Sequence, residues 1–428
     1  MKRIIVLLLL LFVCHTQVAQ TNIKTVFYNL LQYDNNQYSR DKTGDLKTIL
    51  DEMNPDLFLV CELKSETASD YMFNNAILPH NADFQKAPFR SAISPASDLL
   101  QMAYYNSKKL VLESSKAIYT ETRDINRYTF KLNTVDVNTN PQRIVVYVTH
   151  LKASSGVSDR GKRLESAEKF VADLSTIGAN SYVIFAGDFN FYTTNEVGYQ
   201  EIIDSNNPIR MIDPINRPCP TLPNGADATF YFNNRFDSPY RQYFYNNSGF
   251  ADVHSQSTRV SSGLNGEGSG GGMDDRFDYI MLSNNFTTSS SLYYVNNSYK
   301  TVGNNGNCYN GNVNDSNCSG TYSQAFRNAL YNFSDHLPIY LEIESPTNTL
   351  SIDDYKQVVF MGSNVSSDWI KLNLQSPANQ LIIYNQLGQV VQRIQTASQE
   401  VSIDISSLAK GLYYLKSRNS SPVKFIKI

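Results

Sequence analysis

YVIFAGDFN, residues 182–190, is an apolar, β-branched run that changes character abruptly at Gly187. The apolar half predicts a buried strand. Asp188 and Asn190 follow two residues apart, and on an extended chain such positions point to the same side. A carboxylate and a carboxamide would then stand together at the end of a rigid strand, where they could hold a metal, a water or a phosphate oxygen. An ordinary Gly-Asp-Asn turn has the same pattern, so this stretch alone leaves both interpretations open.

The segments around this stretch alternate between strand and helix patterns. Apolar residues recur at helical spacing in 41–53 and 164–177, which predicts two helices. Apolar or alternating runs predict strands at 23–31, 56–63, 99–105, 127–137 and 143–150, with further strands opening at Asp278 and just after His336. A Gly/Ser-rich segment, 261–272, is expected to be flexible. The order of elements predicts a mixed α/β domain whose sheets are covered by helices.

The charge balance excludes a protein that binds nucleic acid through overall basicity. The 428 residues include 37 Lys and Arg against 40 Asp and Glu, a net charge of −3. Any binding to phosphate must therefore come from a local patch.

The first 20 residues have the pattern of a secretory signal peptide. Lys2 and Arg3 precede an apolar run at 4–13, and small residues near 18–20 offer a cleavage region. The run is too short to span a membrane, and no later segment is long and apolar enough to do so. We therefore expect a protein that is secreted or held at the cell surface.

The cysteines favour a disulfide rather than a metal site. Cys308 and Cys318 flank a short polar loop, and in an exported protein this favours a disulfide between them. Cys61 lies in an apolar strand and is expected to be a buried thiol, Cys14 leaves with the signal peptide, and Cys219 is not assigned. The absence of any CxxC pair argues against a Cys/His metal site.

Polar residues stand where the predicted apolar strands of the first domain begin or end. They are Asn29, Glu62, His150, Asp188, Asn190, Asp278, Asp335 and His336. Each alone is most simply a cap or a turn residue, but strand ends gather loops into one cleft. The oxygen ligands of Asn29, Glu62 and Asp335 suit Mg²⁺ or Mn²⁺ better than Zn²⁺, with Ca²⁺ a further candidate. Two histidines, which titrate near pH ~6.5, suit proton transfer, so the set predicts phosphodiester hydrolysis.

The motifs around these residues resemble those of the endonuclease/exonuclease/phosphatase family, which has the DNase-I-like fold. The matching motifs occur in the family's order: YNLL, CEL, VTHLKA, GDFN, RFDYIMLS and SDHLPI. The resemblance covers residues 23–344 and implies a four-layer α/β sandwich, two mixed sheets packed face to face with helices outside.

The resemblance also implies a role for each residue. Glu62 would ligate Mg²⁺, with Asn29 and Asp335 near it. Asp188 would orient or deprotonate the attacking water, helped by Asn190. His336 would contact the scissile phosphate and be oriented by Asp278, and His150 would be a phosphate contact or a general acid. The carboxylate partner of His150 is open, with Asp98 a candidate, and Arg127 is a phosphate contact by position only.

The segment 346–428 consists of short alternating runs separated by turns, which predicts a small β-sandwich. The runs IIYNQLGQVV and VSIDISSLAKGLYYLKS and the basic end VKFIKI resemble the C-terminal sorting domain of the type IX secretion system. The resemblance implies export by that machinery and no part in catalysis. The predicted organisation is therefore a signal peptide (1–20), a catalytic domain (21–345) and a sorting domain (346–428), in a chain expected to be a monomer.

The substrate is less constrained than the reaction. A basic loop at 152–163, with Lys152 and Arg163, could follow a phosphate backbone, and an aromatic, Arg-containing stretch at 228–250 could stack bases. The plainer interpretations are a solvated loop and packed aromatics. A sphingomyelinase-like enzyme would need an exposed apolar hairpin, for which Phe244–Tyr245 and residues 292–294 are the nearest candidates. An extracellular nuclease acting on DNA or RNA is the first hypothesis, other phosphoester hydrolases the second, and a non-catalytic binding module on the same fold the third.

Overall fold

The computed structural model of the chain describes residues 21–34, 42–95, 97, 99–134, 136–223, 228–263, 267–347, 358–374, 380–396, 398–417 and 422–428. The chain divides into two compact units, Met1–Leu350 and Ser351–Ile428. The predicted signal peptide lies outside the described residues. The predicted boundary after residue 345 stays a prediction, because residues 348–357 are not described either.

The first unit alternates strands and helices. Its strands are β1 (Thr21–Tyr33), β2 (Leu57–Leu63), β3 (Phe84–Lys86), β4 (Leu100–Asn106), β5 (Leu110–Ile118), β6 (Ile125–Leu132), β7 (Arg143–His150), β8 (Tyr182–Asp188), β9 (Met211–Ile212), β10 (Asp278–Ser283), β11 (Tyr293–Tyr294), β12 (Lys300–Thr301) and β13 (Ile339–Ser345). Its helices are α1 (Thr43–Met53), α2 (Glu66–Met72), α3 (Leu78–His80), α4 (Val157–Leu174), α5 (Val197–Ile203), α6 (Ala228–Asn233), α7 (Asn285–Thr288) and α8 (Gln324–Phe333).

Two mixed sheets form the centre of this unit. The first has the order β11-β13-β1-β2-β4-β3, with β12 also paired to β13, and the second has the order β5-β6-β7-β8-β10-β9. β1 and β2 are parallel in the first sheet, and β7 and β8 are parallel in the second. The strands that carry the parallel pairs are central, so their ends meet in the middle of each sheet.

The sheets pack face to face, as the alternation along β7 shows. Ile144, Val146 and Val148 belong to the core that the second sheet shares with the first. Val145 and Tyr147 point to the other side, where Tyr147 packs against Phe170 of α4 with ring centroids 5.0 Å apart. Helices α1 and α8 cover the outer face of the first sheet through apolar residues of the shared core. The predicted four-layer α/β sandwich is therefore confirmed.

The first and last strands of the first unit are neighbours. β1 pairs antiparallel with β13 from Thr21↔Ser345 to Phe27↔Ile339. The Ser334 hydroxyl donates to the Asn29 carbonyl oxygen at 2.8 Å, although the two residues are 305 positions apart. Both ends of the domain therefore meet beside the end of β1.

Two local predictions are corrected by the structure. The basic loop predicted at 152–163 is helical from Val157 onward, because α4 begins after Gly156 and Arg163 lies on the buried face of that helix. The Gly/Ser-rich segment was expected to be flexible, but its described end is tied to the preceding chain. The Gly271 and Gly272 amides donate hydrogen bonds of 2.9 Å to the carbonyls of Val260 and Arg259.

The disulfide prediction is confirmed, and the second unit is all β. Cys308 and Cys318 are joined, with Cα atoms 5.1 Å apart, and Cys61 and Cys219 are buried thiols. The strands of the second unit are β14 (Val358–Phe360), β15 (Val365–Ser366), β16 (Trp369–Leu374), β17 (Gln380–Asn385), β18 (Val390–Gln395), β19 (Glu400–Asp404), β20 (Gly411–Ser417) and β21 (Val423–Lys427). They form a three-stranded and a five-stranded sheet around one apolar core, as the alternating runs predicted.

Candidate active site

Strand register in the second sheet brings three predicted site residues to the same end of neighbouring strands. His150 is paired with Asp188 across the parallel strands β7 and β8, and Asp278 is paired with Asp188 across the antiparallel strands β8 and β10. Gly187 precedes Asp188 because the backbone passes close to β7: a Cβ atom there would lie 2.5 Å from the Thr149 carbonyl oxygen. The apolar strands thus position the polar ends rigidly.

The first sheet contributes Asn29 and Glu62 from neighbouring parallel strands. The β1–β2 register shifts just after Asn29, and Glu62 adopts a left-handed backbone conformation with φ 60°. Such a conformation costs a non-glycine residue about 1–3 kcal/mol and persists where surrounding contacts impose it. Here the Gln32 amide donates to Glu62 Oε2 at 2.9 Å. The irregular ends of these strands therefore orient the Glu62 carboxylate.

The Asn29 amide joins the two sheets. Its Nδ2 donates to Glu62 Oε1 and to Asp188 Oδ2, each at 3.0 Å, and its Oδ1 accepts from the Leu31 amide at 3.0 Å. The amide nitrogen, not the oxygen, therefore faces the carboxylates. Metal ligation by the Asn29 oxygen, as the sequence suggested, would require rotation of this amide.

A buried chain of hydrogen bonds orients His336. Its Nδ1 lies 2.7 Å from Asp278 Oδ2, which also accepts from the Ser255 hydroxyl at 2.6 Å. Burial disfavours the imidazolium, but the carboxylates of Asp278, Asp188 and Asp335 raise the pKa of His336 well above its usual value. His336 Nε2 lies 3.7 Å from Asp188 Oδ2. A cationic imidazole therefore faces the centre of the cluster.

His150 lies on the other side of Asp188 and has the opposite charge preference. Its Nε2 is 3.5 Å from Asp188 Oδ2 and 3.8 Å from Glu62 Oε1. Burial, together with the positive charges of Arg123, His336 and Lys152, lowers its pKa well below the usual value. Its carboxylate neighbours are thus Asp188 and Glu62. Asp98, the partner that the sequence suggested, lies outside the described residues.

The carboxylates are crowded. Burial and the nearby charges of Asp278 and Glu62 raise the pKa of Asp188 to about 8, against the opposing effect of His336. Burial and the charge of Asp335 likewise raise the pKa of Glu62. Uncompensated negative charge is costly to bury, and a bound cation would relieve it.

Asn190 contributes mainly through its backbone. Its amide donates to Asp188 Oδ1 at 3.1 Å, and its side-chain Nδ2 donates to the Leu151 carbonyl at 3.3 Å. A left-handed φ of 53° at Asn190 turns the chain sharply enough for the first of these bonds. Asn190 therefore fixes the Asp188 carboxylate and ties its loop to the end of β7.

Asp335 is held by a segment that the sequence did not connect with the site. Its Oδ2 accepts from the Ser269 amide at 2.7 Å and from Gln256 Nε2 at 3.4 Å. Gly268 packs so closely, with φ 79°, that a Cβ atom there would lie 3.0 Å from the carboxylate. Gln256 Nε2 is also 2.6 Å from His336 Nε2, and beside a cationic imidazole this amide has to turn its oxygen toward the ring, because an imidazolium accepts no hydrogen bond. Gln256 gave no sequence signal, because it lies in an irregular loop.

Acidic and histidine side chains of the cluster could hold a metal ion. Ligand atoms within 4.8 Å of one another occur in two described groups, Glu62 with His150 and Asp188, and Asp188 with Asp278 and His336. Asp335 Oδ1 is buried and has no hydrogen-bond partner among the described residues. Carboxylate oxygens with an unused lone pair are what Mg²⁺ and Mn²⁺ bind in proteins.

The predicted phosphate contacts Arg127 and Arg163 are not brought to the cluster. Arg127 lies on the outer face of the second sheet, where its Nη1 is 3.0 Å from Asp173 of α4. Arg163 is fully buried: its Nε and Nη2 lie 2.8 Å from Glu196 Oε2, and its Nη1 donates to the Lys152 and Ser154 carbonyls. Both side chains are committed to structural pairs.

Two other basic residues lie nearer the cluster. Lys152 follows His150 by two residues, and its Nζ lies 3.2 Å from Asp159 Oδ1 with the side chain 29% exposed. Arg123, which the sequence did not single out, donates to the Leu151 carbonyl at 3.0 Å and influences the pKa values of His150 and Asp188. Proximity to those two residues is visible only in three dimensions.

The second unit matches a known family. A model described as the secretion system C-terminal sorting domain matches residues 364–428, which confirms the predicted sorting domain and implies secretion or a place at the cell surface. Among the described residues, no helix has the length and apolar character needed to cross a membrane. No curated protein sequence matches the chain.

Solved structures match about three quarters of the chain at low sequence identity. An endonuclease/exonuclease/phosphatase family protein from Bacteroides thetaiotaomicron is 13% identical, with a TM-score of 0.44 over 76% of this chain and 99% of that chain. The human nocturnin catalytic domain with bound sulfate is 15% identical, with a TM-score of 0.43 over 76% and 95%. A mannosyl-6-phosphatase from B. thetaiotaomicron is 13% identical, with a TM-score of 0.43 over 75% and 99%.

Proposed function

We propose that the first unit is a secreted, divalent-metal-dependent phosphodiesterase and that its substrate is nucleic acid. The observation that carries the proposal is the interlocked cluster around Asp188. Asn29 links Asp188 to Glu62 through two 3.0 Å hydrogen bonds, while His150 and His336 approach Asp188 Oδ2 from 3.5 and 3.7 Å. A buried assembly of carboxylates and imidazoles of opposite charge preference is typical of a site that moves protons near neutral pH.

Glu62 and Asp335 would hold Mg²⁺ or Mn²⁺, with Asp188 near. A cation bound there would polarise a phosphoryl oxygen and neutralise developing negative charge. The raised pKa of Glu62 and the unpaired Asp335 oxygen support this assignment. Asn29 would space the carboxylates, because its amide nitrogen already bonds two of them.

Asp188 would accept the proton of the attacking water. Its Oδ1 is held by the Asn190 amide and its Oδ2 by Asn29, so the carboxylate has one orientation. Water would attack phosphorus, the bond to the leaving oxygen would break, and the water proton would pass to Asp188. A carboxyl whose pKa lies close to the working pH is an effective general base.

The two imidazoles would act on the phosphate. His336, kept cationic by Asp278, would donate from Nε2 to a nonbridging phosphate oxygen and stabilise its charge. His150, neutral at pH 7 because its pKa is lowered, would bind the phosphate through an N–H, and the leaving oxygen would take its proton from water. Arg123 and Lys152 would add local positive charge for the phosphate backbone.

The described surface favours nucleic acid over a membrane lipid. Of the candidate residues for entry into a bilayer, Phe244, Tyr245, Leu292 and Tyr294 are buried, and Tyr293 is half-buried with its hydroxyl donating to Glu344. Entry into a lipid interface needs exposed apolar side chains. A sphingomyelinase-like activity is therefore the second candidate. A non-catalytic module would not need the complete cluster.

Plasmid nicking tests the proposal. The exported chain would be incubated with supercoiled plasmid and with single-stranded DNA in Mg²⁺, in EDTA, and as the His336→Ala variant, beside a phosphocholine-release assay on sphingomyelin. We expect nicking that needs the metal and disappears in the variant. Phosphocholine release without cleavage of nucleic acid would favour the sphingomyelinase-like activity. Inactivity in both assays would contradict the proposed substrate class.

A further inference from the structure

An exposed surface with an aromatic ring and arginines is formed by residues around Phe236, which lie between Asn190 and β10 in the sequence. The proposed chemistry does not use this surface. The Phe236 ring is 54% exposed. The Arg235 guanidinium covers one side of it, 4.3 Å from the ring centroid. Among the described residues, Arg235 Nε has no hydrogen-bond partner. Arg235 Nη1 donates to the Phe232 carbonyl at 3.1 Å, so the guanidinium is held in place beside an aromatic ring that stays exposed.

A cleft opens beside this ring and is called the Phe236 cleft below. Its volume is about 460 Å³. It is lined by Phe236, Ser238, Pro239, Arg241, Gln242 and Asn247. Arg241 donates from Nη2 to the Phe236 carbonyl at 2.6 Å, which fixes the guanidinium, while its buried Nε has no described partner. The volume is at the small end of the range for ligand sites, which suits one flat ring system.

Ring and guanidinium contacts connect the cleft to the candidate active site. Phe277, next to Asp278, packs against Tyr192 with centroids 5.0 Å apart. Tyr192 follows Asn190 by two residues, and the Arg235 guanidinium lies 5.2 Å from its centroid. Arg235 then contacts Phe236. Side-chain contacts thus run from the Phe236 ring through Arg235 to the Tyr192 ring, two residues beyond Asn190.

We propose that the Phe236 cleft binds an unpaired nucleobase of a single-stranded substrate whose scissile phosphate lies at the Asp188 cluster. The inference rests on the proposed nuclease function and names the form of nucleic acid. An aromatic face stacks any base, but a base offers its own face only when its neighbours on the strand are not stacked on it. Arg235 and Arg241 supply the cationic edge that the adjoining phosphates need.

The same surface is poorly suited to a bilayer. Phe236 and Phe230 are the exposed large apolar residues described in this segment, and Phe236 is followed by exposed Asp237 and Ser238. Insertion into a membrane interface needs a contiguous apolar tip. An aromatic ring flanked by arginines and an acidic residue fits a base and a phosphate better.

Binding without turnover provides the test. The full chain carrying His336→Ala would be titrated into a fluorescein-labelled, single-stranded DNA 12-mer, and anisotropy would be measured at fixed salt. We expect Phe236→Ala and Phe236→Leu to weaken binding about ten-fold or more, because leucine keeps apolar area but has no π-face. Phe236→Tyr should restore binding. The matched control is Phe230→Ala, which removes an exposed ring of the same segment that does not line the cleft.

The outcomes separate this inference from the proposed function. If the chain with His336 intact cleaves nucleic acid but Phe236→Ala binds the 12-mer normally, the cleft assignment is overturned and the nuclease stands. The assignment would also be overturned if Phe230→Ala weakened DNA binding as much as Phe236→Ala. It would be overturned as well if Phe236→Ala lost binding to sphingomyelin vesicles and not to DNA. If that chain neither cleaves nor binds nucleic acid, both conclusions fall.

Discussion

His150 and Asp188 stand opposite each other at the ends of two parallel strands, with His150 Nε2 3.5 Å from Asp188 Oδ2. The strands place the pair, and the surroundings set its charges. Burial lowers the pKa of the imidazole and raises that of the carboxyl. Neither group relies on a long flexible side chain, so substitutions here should change chemistry more than fold.

Asp188→Asn should lower kcat about 10²- to 10⁴-fold, the usual contribution of a general base. The amide keeps the shape of the side chain but accepts no proton from water. Steady-state hydrolysis of a phosphodiester, with melting curves to verify folding, checks this expectation. Glu168→Gln, on the exposed face of α4, is the control and should keep full activity. A kcat for Asp188→Asn within a few-fold of the unsubstituted protein would remove Asp188 from the role of base.

Mg²⁺ or Mn²⁺ should raise the melting temperature, because the cation binds the folded state alone. At a hundred-fold excess over Kd the stabilisation is about 2.7 kcal/mol. Glu62→Gln should abolish most of the shift, since it removes one of the crowded charges that favour a cation. Differential scanning fluorimetry with and without EDTA measures it. An undiminished shift in Glu62→Gln would place the cation elsewhere, and Glu168→Gln should behave like the unsubstituted chain.

In EDTA, the raised pKa of Asp188 should contribute a fall in stability as the pH rises between about 4 and 8, whereas the lowered pKa of His150 contributes a rise below its ordinary value of 6.5. The folded protein keeps a proton on Asp188 up to about pH 8, whereas the unfolded chain loses it near the ordinary value of 3.8. Because the folded pKa is the higher one, the contribution is present at low pH and lost as the pH rises through this window. Urea denaturation should show a shallower fall for Asp188→Asn. Parallel curves for the two proteins would contradict the assigned pKa shift.

Removing the disulfide with Cys308→Ser and Cys318→Ser should lower the free energy of unfolding by about 3 kcal/mol, as expected for closure of a short loop. The two cysteines are 10 positions apart and anchor the loop that packs near Arg327. Cys219→Ser, which changes a thiol outside the disulfide, is the matched control for the chemical change. Equal stability of the double variant and the unsubstituted chain under oxidising conditions would show that the bond contributes nothing.

Arg163 and Lys152 should respond differently to substitution, although the sequence placed both in one basic loop. Glu196→Gln leaves Arg163 buried without its charge partner and should cost about 3–5 kcal/mol of stability. Lys152→Ala should leave stability nearly unchanged but raise KM for nucleic acid, most at low salt. Unfolding curves and the salt dependence of KM separate the two. A stable Glu196→Gln protein with a raised KM would contradict the structural role of Arg163 and indicate that Arg163 contacts the substrate.

The sequence predicted which polar residues lie at strand ends, because an apolar run indicates a buried strand and the polar residue that stops the run indicates where the strand ends. His150, Asp188 and Asp278 were found in this way, and register then brought them together. Arg127 was misplaced because alternation along β6 was not followed: Asn126 and Tyr128 face the inner core side, so Arg127 faces α4.

Partners contributed by loops could not be predicted in the same way. Gln256 reaches Asp335 and His336 across about eighty positions, and Glu196 reaches Arg163 from a separate turn. Loop residues have no period, so only tertiary packing pairs them. The start of α4 was missed for a related reason, since its first turns carry mainly polar residues.

The adjacency of β1 and β13 has a consequence for synthesis. Asn29 is made early, whereas Asp335, His336 and the Ser334 hydroxyl that bonds the Asn29 carbonyl follow some three hundred residues later. A growing chain therefore has no complete centre until almost the whole first unit has left the ribosome. If the protein is a phosphodiesterase of the proposed kind, the unfinished chain cannot cleave the RNA that surrounds its ribosome. The producing cell is exposed to the activity only after the whole domain has been synthesised.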